Sequence, residues 1–283
     1  MSTRKEIFLQ NLPDYDISTL TNREKRLLME AFIQWTAWQM EKPAPYGWFH
    51  ILMTLGLLTL AVAGAWLLRN TNEKQNRIVL GVTGGFLLLA EVYKIAFHMV
   101  HPDGWGFWGV FPFQLCSVPM YLSLICAFSK SKKLNSWLYE CMFAVNMFGG
   151  IMAFLEPSGI QHGYVTLTLH AYVWHMALIF LGLYLYMSKR TCTDRGSYKK
   201  AAAVYLATCV LAQTFNVIFG DRINCFYISL VVQSPLAVFK DIYAACGGFV
   251  NMVLMIVAML LASAIVYYTG YGIRCLTRRK VKV

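Results

Sequence analysis

Charge is scarce in this 283-residue chain: Asp, Glu, Lys and Arg together make up 14 % of it, against 58 % hydrophobic residues. With a mean hydropathy of +0.50, and with its apolar runs joined by short loops, the chain has no room for a separate soluble domain. Other absences narrow the reading further. The first 46 residues contain no short apolar core followed by a small-residue cleavage site, so they do not read as a secretory signal peptide. The eight cysteines form no C-x-x-C pair and no Cys/His spacing suited to zinc, which predicts reduced thiols, no disulfide framework and no metal. No internal repeat, low-complexity segment or nucleotide-binding motif is present. No cofactor is implied.

What is there is a set of apolar runs long enough to cross about 30 Å of hydrocarbon at about 1.5 Å per helical residue. Seven spans can be drawn, at 47–68, 78–100, 107–128, 135–156, 163–187, 200–220 and 245–271. The predicted fold class is all-α, a polytopic membrane helix bundle of about seven transmembrane helices. The chain divides into a polar amino-terminal segment (1–46), the transmembrane domain (47–271) and a basic tail (272–283). In 18–41, Leu20, Leu27, Leu28, Phe32, Trp35 and Trp38 share one broad helical face. This predicts either an interfacial helix on the membrane or a helix packed on the protein's own loops.

The formal net charge of +11 is a matter of topology rather than of nucleic-acid binding. Lys and Arg gather in alternate loops: Arg69, Lys74 and Arg77; Lys130, Lys132 and Lys133; Lys189, Arg190, Arg195, Lys199 and Lys200; and the tail from Arg274 to Lys282. Retention of positive charge on the cytoplasmic side, where anionic headgroups also lie, predicts a cytoplasmic carboxyl terminus and an external amino terminus, with the cell membrane as the location. The basic residues of the amino-terminal segment oppose this assignment. Loop 221–244 carries the apolar run Ile228 to Val232, too short to cross unaided, which predicts a re-entrant or interfacial segment.

Counted from the outer ends of the drawn spans, Glu91, Lys94, His98, Cys116, Asn146, His170, His175, Gln213, Asn216 and Asn251 all fall in the outer half of the bilayer. The inner half looks nearly free of such groups. A charge near the bilayer centre costs about 2.5–3.5 kcal/mol on insertion scales, so the grouping needs a cause. Glu91 and Lys94 are helical neighbours, with His98 on the same face, and read first as a neutralising ion pair that could also contact a headgroup. Asn146, Gln213, Asn216 and Asn251 read first as hydrogen-bonding groups between helices.

A lone membrane cysteine is ordinarily a small packing residue, as Cys126, Cys141 and Cys209 are expected to be. Cys116 would be inert unless a base or a positive charge stood beside it. His170 and His175 on the fifth span are the candidates, because a Cys–His pair generates a thiolate nucleophile.

The run Pro112-Phe113-Gln114-Leu115-Cys116 resembles the Pro-Leu-His-Leu-Cys run of the YwaF family of integral membrane proteins. Phe49-His50, Glu91-Val92-Tyr93-Lys94, Asn146 through Ala153, Leu155-Glu156-Pro157, Trp174-His175-Met176 and Ile223-Asn224-Cys225-Phe226-Tyr227 before Ser234-Pro235 follow in the same order. The resemblance covers roughly 47–265. Bacterial members mostly lack an assigned activity, whereas eukaryotic relatives look like transmembrane lipid acyltransferases with a Cys–His pair. The resemblance implies Cys116 as nucleophile and His175 as its histidine. Gln114 departs from the family's common histidine.

The leading expectation is acyl transfer on a membrane phospholipid or lysolipid, by transferase or hydrolase chemistry. Gln114, Asn146 or Lys94 would stabilise the oxyanion, with Glu91, His98, His170 and Asn216 in support. A transporter or receptor-like binding protein using Glu91, Lys94 and the histidines, or a non-catalytic scaffold, would present the same polar groups. No pattern in the sequence specifies an oligomeric state.

Overall fold

The computed structural model describes residues 21–101, 106–192 and 194–280. Among these residues the regular structure is helical, apart from one isolated β-bridge between Gln39 and Tyr164. The helices are α1 (Asn22–Thr36), α2 (Trp48–Leu67), α3 (Glu73–Val100), α4 (Val118–Phe128), α5 (Lys132–Leu155), α6 (Val165–Met187), α7 (Tyr198–Phe219) and α8 (Ala237–Lys280). Six of them are long and apolar enough to span a membrane: α2, α3, α5, α6, α7 and α8. This is an integral membrane helix bundle.

The expected third span is the exception. Of 107–128, only Leu115–Phe128 forms a continuous apolar helix, opening in a 3-10 turn at Leu115–Ser117. At about 1.5 Å per residue it is roughly 21 Å long, short of the hydrocarbon thickness. Pro112 is the local reason, because a residue before proline is pushed out of the helical region. Pro119 then sits in the first turn of α4, where its missing N–H costs nothing. The helix therefore starts inside the bundle.

α4 is held there by α3. A Cβ on Gly84 would lie 2.7 Å from Ser123 Oγ, so only glycine lets the two backbones approach this closely. At the far end, the Arg77 guanidinium donates to the Ser129 carbonyl across 2.5 Å. α2 packs along α6, α6 also contacts the second half of α5, and α7 lies along its first half. α5 and α6 form the centre, being 67 % and 56 % buried over their apolar windows against 17–22 % for the other long spans. In the middle of α5 the helix widens to a π turn, Met142–Asn146.

The basic loops meet at one end of the bundle. Arg190 donates to the Thr71 carbonyl (2.8 Å), Lys200 to Ser136 Oγ (3.1 Å), and Arg274 to the Thr191 carbonyl. At the other end the chain before α2 is pinned to the loop before α6, through Met40 N to the Gly163 carbonyl (3.0 Å) and Tyr46 Oη to the Leu155 carbonyl (2.6 Å). α1 docks on the protein through Ile33, which is buried with Phe97 and Leu167, while Leu27, Phe32, Trp35 and Trp38 stay exposed. Leu20 of the expected amphipathic face lies outside the described residues.

Between α7 and α8 the chain folds back into the bundle. Ile223, Cys225, Phe226, Ile228 and Ser229 are buried. Irregular backbone at membrane depth survives only where protein covers its polar groups, and here Asn224 does much of that work, donating to the Val232 carbonyl and accepting from Ser229 N. Phe226 and Tyr227 both adopt left-handed backbone, with φ of 59° and 57°, a conformation that costs a non-glycine residue on the order of 1–3 kcal/mol. α8 bends at Gly247 (φ 82°) to pass this loop.

Candidate functional site

Cys116 stands at the first turn of the short helix, half-buried among α3, α5, α6 and the folded-back loop. The first N–H groups of a helix lack intrahelical partners and carry partial positive charge, which favours an anion at that position. Its backbone is gripped from two sides. Trp174 Nε1 donates to the Cys116 carbonyl (3.1 Å), and Asn146 Nδ2 donates to the neighbouring Leu115 carbonyl (3.3 Å). Asn146 can reach because it closes the π turn, a feature that recurs at functional sites.

Lys94 is the common electrostatic neighbour of Cys116, His170 and His175. Its Nζ lies 2.8 Å from Glu91 Oε1 and 5.8 Å from the centre of the Trp174 ring. Glu91 is only 2 % exposed, and its Oε2 has no partner. The ion pair read from the sequence is thus formed and internal.

The histidine contacts set their tautomers. A carbonyl can only accept, so His175 Nδ1, 2.8 Å from the Ala171 carbonyl, carries the proton of the neutral ring and leaves Nε2 as the lone-pair atom. By the same logic His170 Nε2 donates to the Ala90 carbonyl (3.0 Å), leaving Nδ1 basic. His170 also stacks on Trp174 at 5.5 Å. Neither ring is hydrogen-bonded to Cys116 Sγ among the described contacts. His175 is instead braced from behind, because its carbonyl lies where a Cβ on Gly150 would come within 2.9 Å.

Gln114 and Asn216 are structural in this arrangement. The Gln114 amide bonds at both ends to the folded-back loop, Nε2 to the Asn224 carbonyl and Oε1 from Phe226 N, each at 3.2 Å. Asn216 does the same for Cys225, accepting from its N–H at 2.7 Å and donating to its carbonyl at 3.2 Å. His98 is buried beside Phe97. Tyr227, on that loop, comes within electrostatic range of Cys116. Sequence reading did not single it out, and its left-handed backbone leaves no residue-type signal.

Nor is the other half of the bundle free of polar groups, as the sequence suggested. Glu140 is 1 % exposed within α5, and Asn76, Asn135 and Arg274 are also buried. Glu140 accepts from Cys192 N (3.1 Å), so it was placed by a loop contact that spacing does not reveal. All eight cysteines are free, and no cluster of metal-binding side chains occurs among the described residues.

This cysteine-headed short helix lies within the stretch matched by a family model, residues 45–269. The chain belongs to the TMEM164 family. The match runs from just before α2 to near the end of α8, and so takes in every candidate site residue of this family member. No curated protein and no solved structure matches the chain.

Proposed function

We propose that this TMEM164-family protein transfers acyl groups between membrane lipids, with Cys116 as nucleophile and His175 as base. The observation that carries the proposal is the placement of Cys116 at the head of a short buried helix, its carbonyl held by Trp174 and its thiol within electrostatic range of Lys94. The resemblance of the Pro112–Cys116 run to the YwaF family, and to eukaryotic acyltransferases related to it, supports the same reading.

In the reaction, His175 Nε2 takes the Cys116 proton and Sγ attacks the ester carbonyl of a phospholipid. The tetrahedral intermediate collapses with cleavage of the ester C–O bond, and His175 returns the proton to the leaving alcohol. A lysolipid hydroxyl, deprotonated in turn by His175, attacks the thioester and releases the thiol; water in its place gives hydrolysis. Gln114 and Asn146 are committed to backbone groups, so oxyanion stabilisation falls to Lys94, which has donors beyond the one on Glu91. Hydrogen bonds of a catalytic pair commonly tighten only with substrate in place.

The test is mass spectrometry of the purified protein in nanodiscs with a phospholipid donor and a lysolipid acceptor. An acyl adduct on Cys116, removed by hydroxylamine, with acyl transfer lost in Cys116→Ala, is the expected result. Full transfer by Cys116→Ala would overturn the assignment.

A further inference from the structure

At the basic end of the bundle, far from Cys116 along α5, a cavity of about 240 Å³ opens among Glu73, Lys132, Asn135, Ser136, Tyr139 and Arg190. That is on the order of eight water volumes at about 30 Å³ each. Its hydrogen-bonding groups are lopsided. Arg190 Nε is buried with no partner. Ser136 Oγ accepts from Lys200 (3.1 Å), which leaves its own proton free.

Tyr139 ends a chain of bonds whose direction can be traced. Tyr184 Oη donates to Asn76 Oδ1 (2.9 Å), so the Thr71 hydroxyl, 2.7 Å from Tyr184 Oη, must be the donor there. Asn76 Nδ2 then donates to Tyr139 Oη (2.8 Å), so the Tyr139 proton is the one left to point onward. Bonds aligned in this way strengthen one another. Lys132, exposed at the rim, adds a mobile cation.

Against these donors stand two acceptors. Asn135 is 8 % exposed, with Oδ1 buried and unpartnered. The Glu73 carboxylate, on a side chain 73 % exposed, hangs 3.5 Å from Arg190 Nη2.

We propose that this cavity binds a phosphate group. The phosphate oxygens accept from Arg190, Lys132, Ser136 and Tyr139, and a protonated phosphate oxygen donates to Asn135 Oδ1. Basic pockets between membrane helices at this level hold phosphorylated headgroups, and a free phosphate has the same acceptors. Glu73 occupies the edge of the site as an internal competitor.

The test uses the full chain in phosphatidylcholine nanodiscs, with its melting temperature followed as inorganic phosphate replaces chloride at constant ionic strength, and again in nanodiscs that include phosphatidic acid. Stabilisation by phosphatidic acid alone identifies a lipid phosphate, and stabilisation by inorganic phosphate identifies the free ion; both support the site. Because Arg190 also holds the Thr71 carbonyl, the decisive variants are at exposed positions. Lys132→Ala should weaken binding roughly tenfold, the scale of one charge-assisted bond, and Glu73→Gln should tighten it. No stabilisation by either probe, or stabilisation that both variants leave unchanged, overturns the proposal.

Discussion

Trp174 holds the backbone of Cys116, its indole nitrogen donating across 3.1 Å to the carbonyl at the head of α4. The same ring stacks on His170 and lies near Lys94. Trp174→Phe keeps most of the packing and removes the donor, leaving that carbonyl unpaired at a cost of about 1–3 kcal/mol. Acyl transfer should fall by about tenfold or more while the protein remains folded. The check is turnover together with Cys116 labelling by an acyl electrophile, and undiminished rates for both would mean that the indole does not position the nucleophile.

The two histidines separate in the same assay. His175→Ala should suppress labelling of Cys116 near neutral pH, and raising the pH should partly restore it, because more thiol then ionises without a base. His170 is occupied with the Ala90 carbonyl and the Trp174 ring, so His170→Ala should slow the reaction less and show no such rescue. If the pH-rescued loss appears in His170→Ala instead, the base assignment passes to His170.

Cysteine chemistry distinguishes buried from available thiols. Burial pushes the Cys192 thiol up to about 12, with Glu140 adding to the shift, so at neutral pH it is almost wholly protonated and becomes nucleophilic only as the pH approaches that value. Maleimide should modify Cys192 only after denaturation, as read by peptide mass spectrometry. Rapid native labelling of Cys192 would mean that the loop carrying it is not docked on Glu140.

The folded-back loop rests on one close approach. A Cβ at Gly248 would lie 2.2 Å from the Leu230 carbonyl oxygen, a backbone clash that no rotamer change relieves. Gly248→Ala should therefore displace the segment that carries Asn224, Phe226 and Tyr227. Increased proteolysis between 223 and 236 would report this, and acyl transfer should drop with it. Native protease resistance in Gly248→Ala would show that the loop does not pack there.

The helical class and most span positions were legible in the sequence because lipid imposes a length and a composition on any helix that crosses it. Glu91 and Lys94 were legible as a pair because helical spacing alone makes them neighbours. Other features depend on which surfaces meet. The drawn third span was too long because its apolar count continued through Phe111 and Pro112, where the backbone is not helical. The partners of Gln114 and Asn216 on the folded-back loop could not be read from spacing. Arg190 read only as a loop charge and Tyr227 only as part of a motif, since an orphaned nitrogen or a left-handed tyrosine exists only in three dimensions.

The Glu91–Lys94 pair offers the sharpest energetic test. The carboxylate is 2 % exposed and the ammonium side chain 21 % exposed, at 2.8 Å, so each charge depends on the other for most of its solvation. Removing one partner of a buried pair costs about 3–5 kcal/mol because the survivor is stranded, whereas apolar replacement of both is often close to neutral. Glu91→Leu and Lys94→Met should each lower the yield and melting temperature of folded protein, and the double variant should recover much of both. Activity should separate from stability: with Lys94 assigned to the oxyanion, the double variant should fold yet fail to transfer acyl groups. A double variant that recovers folding and full activity would confine the pair to a structural role and overturn the assignment of Lys94 to the oxyanion.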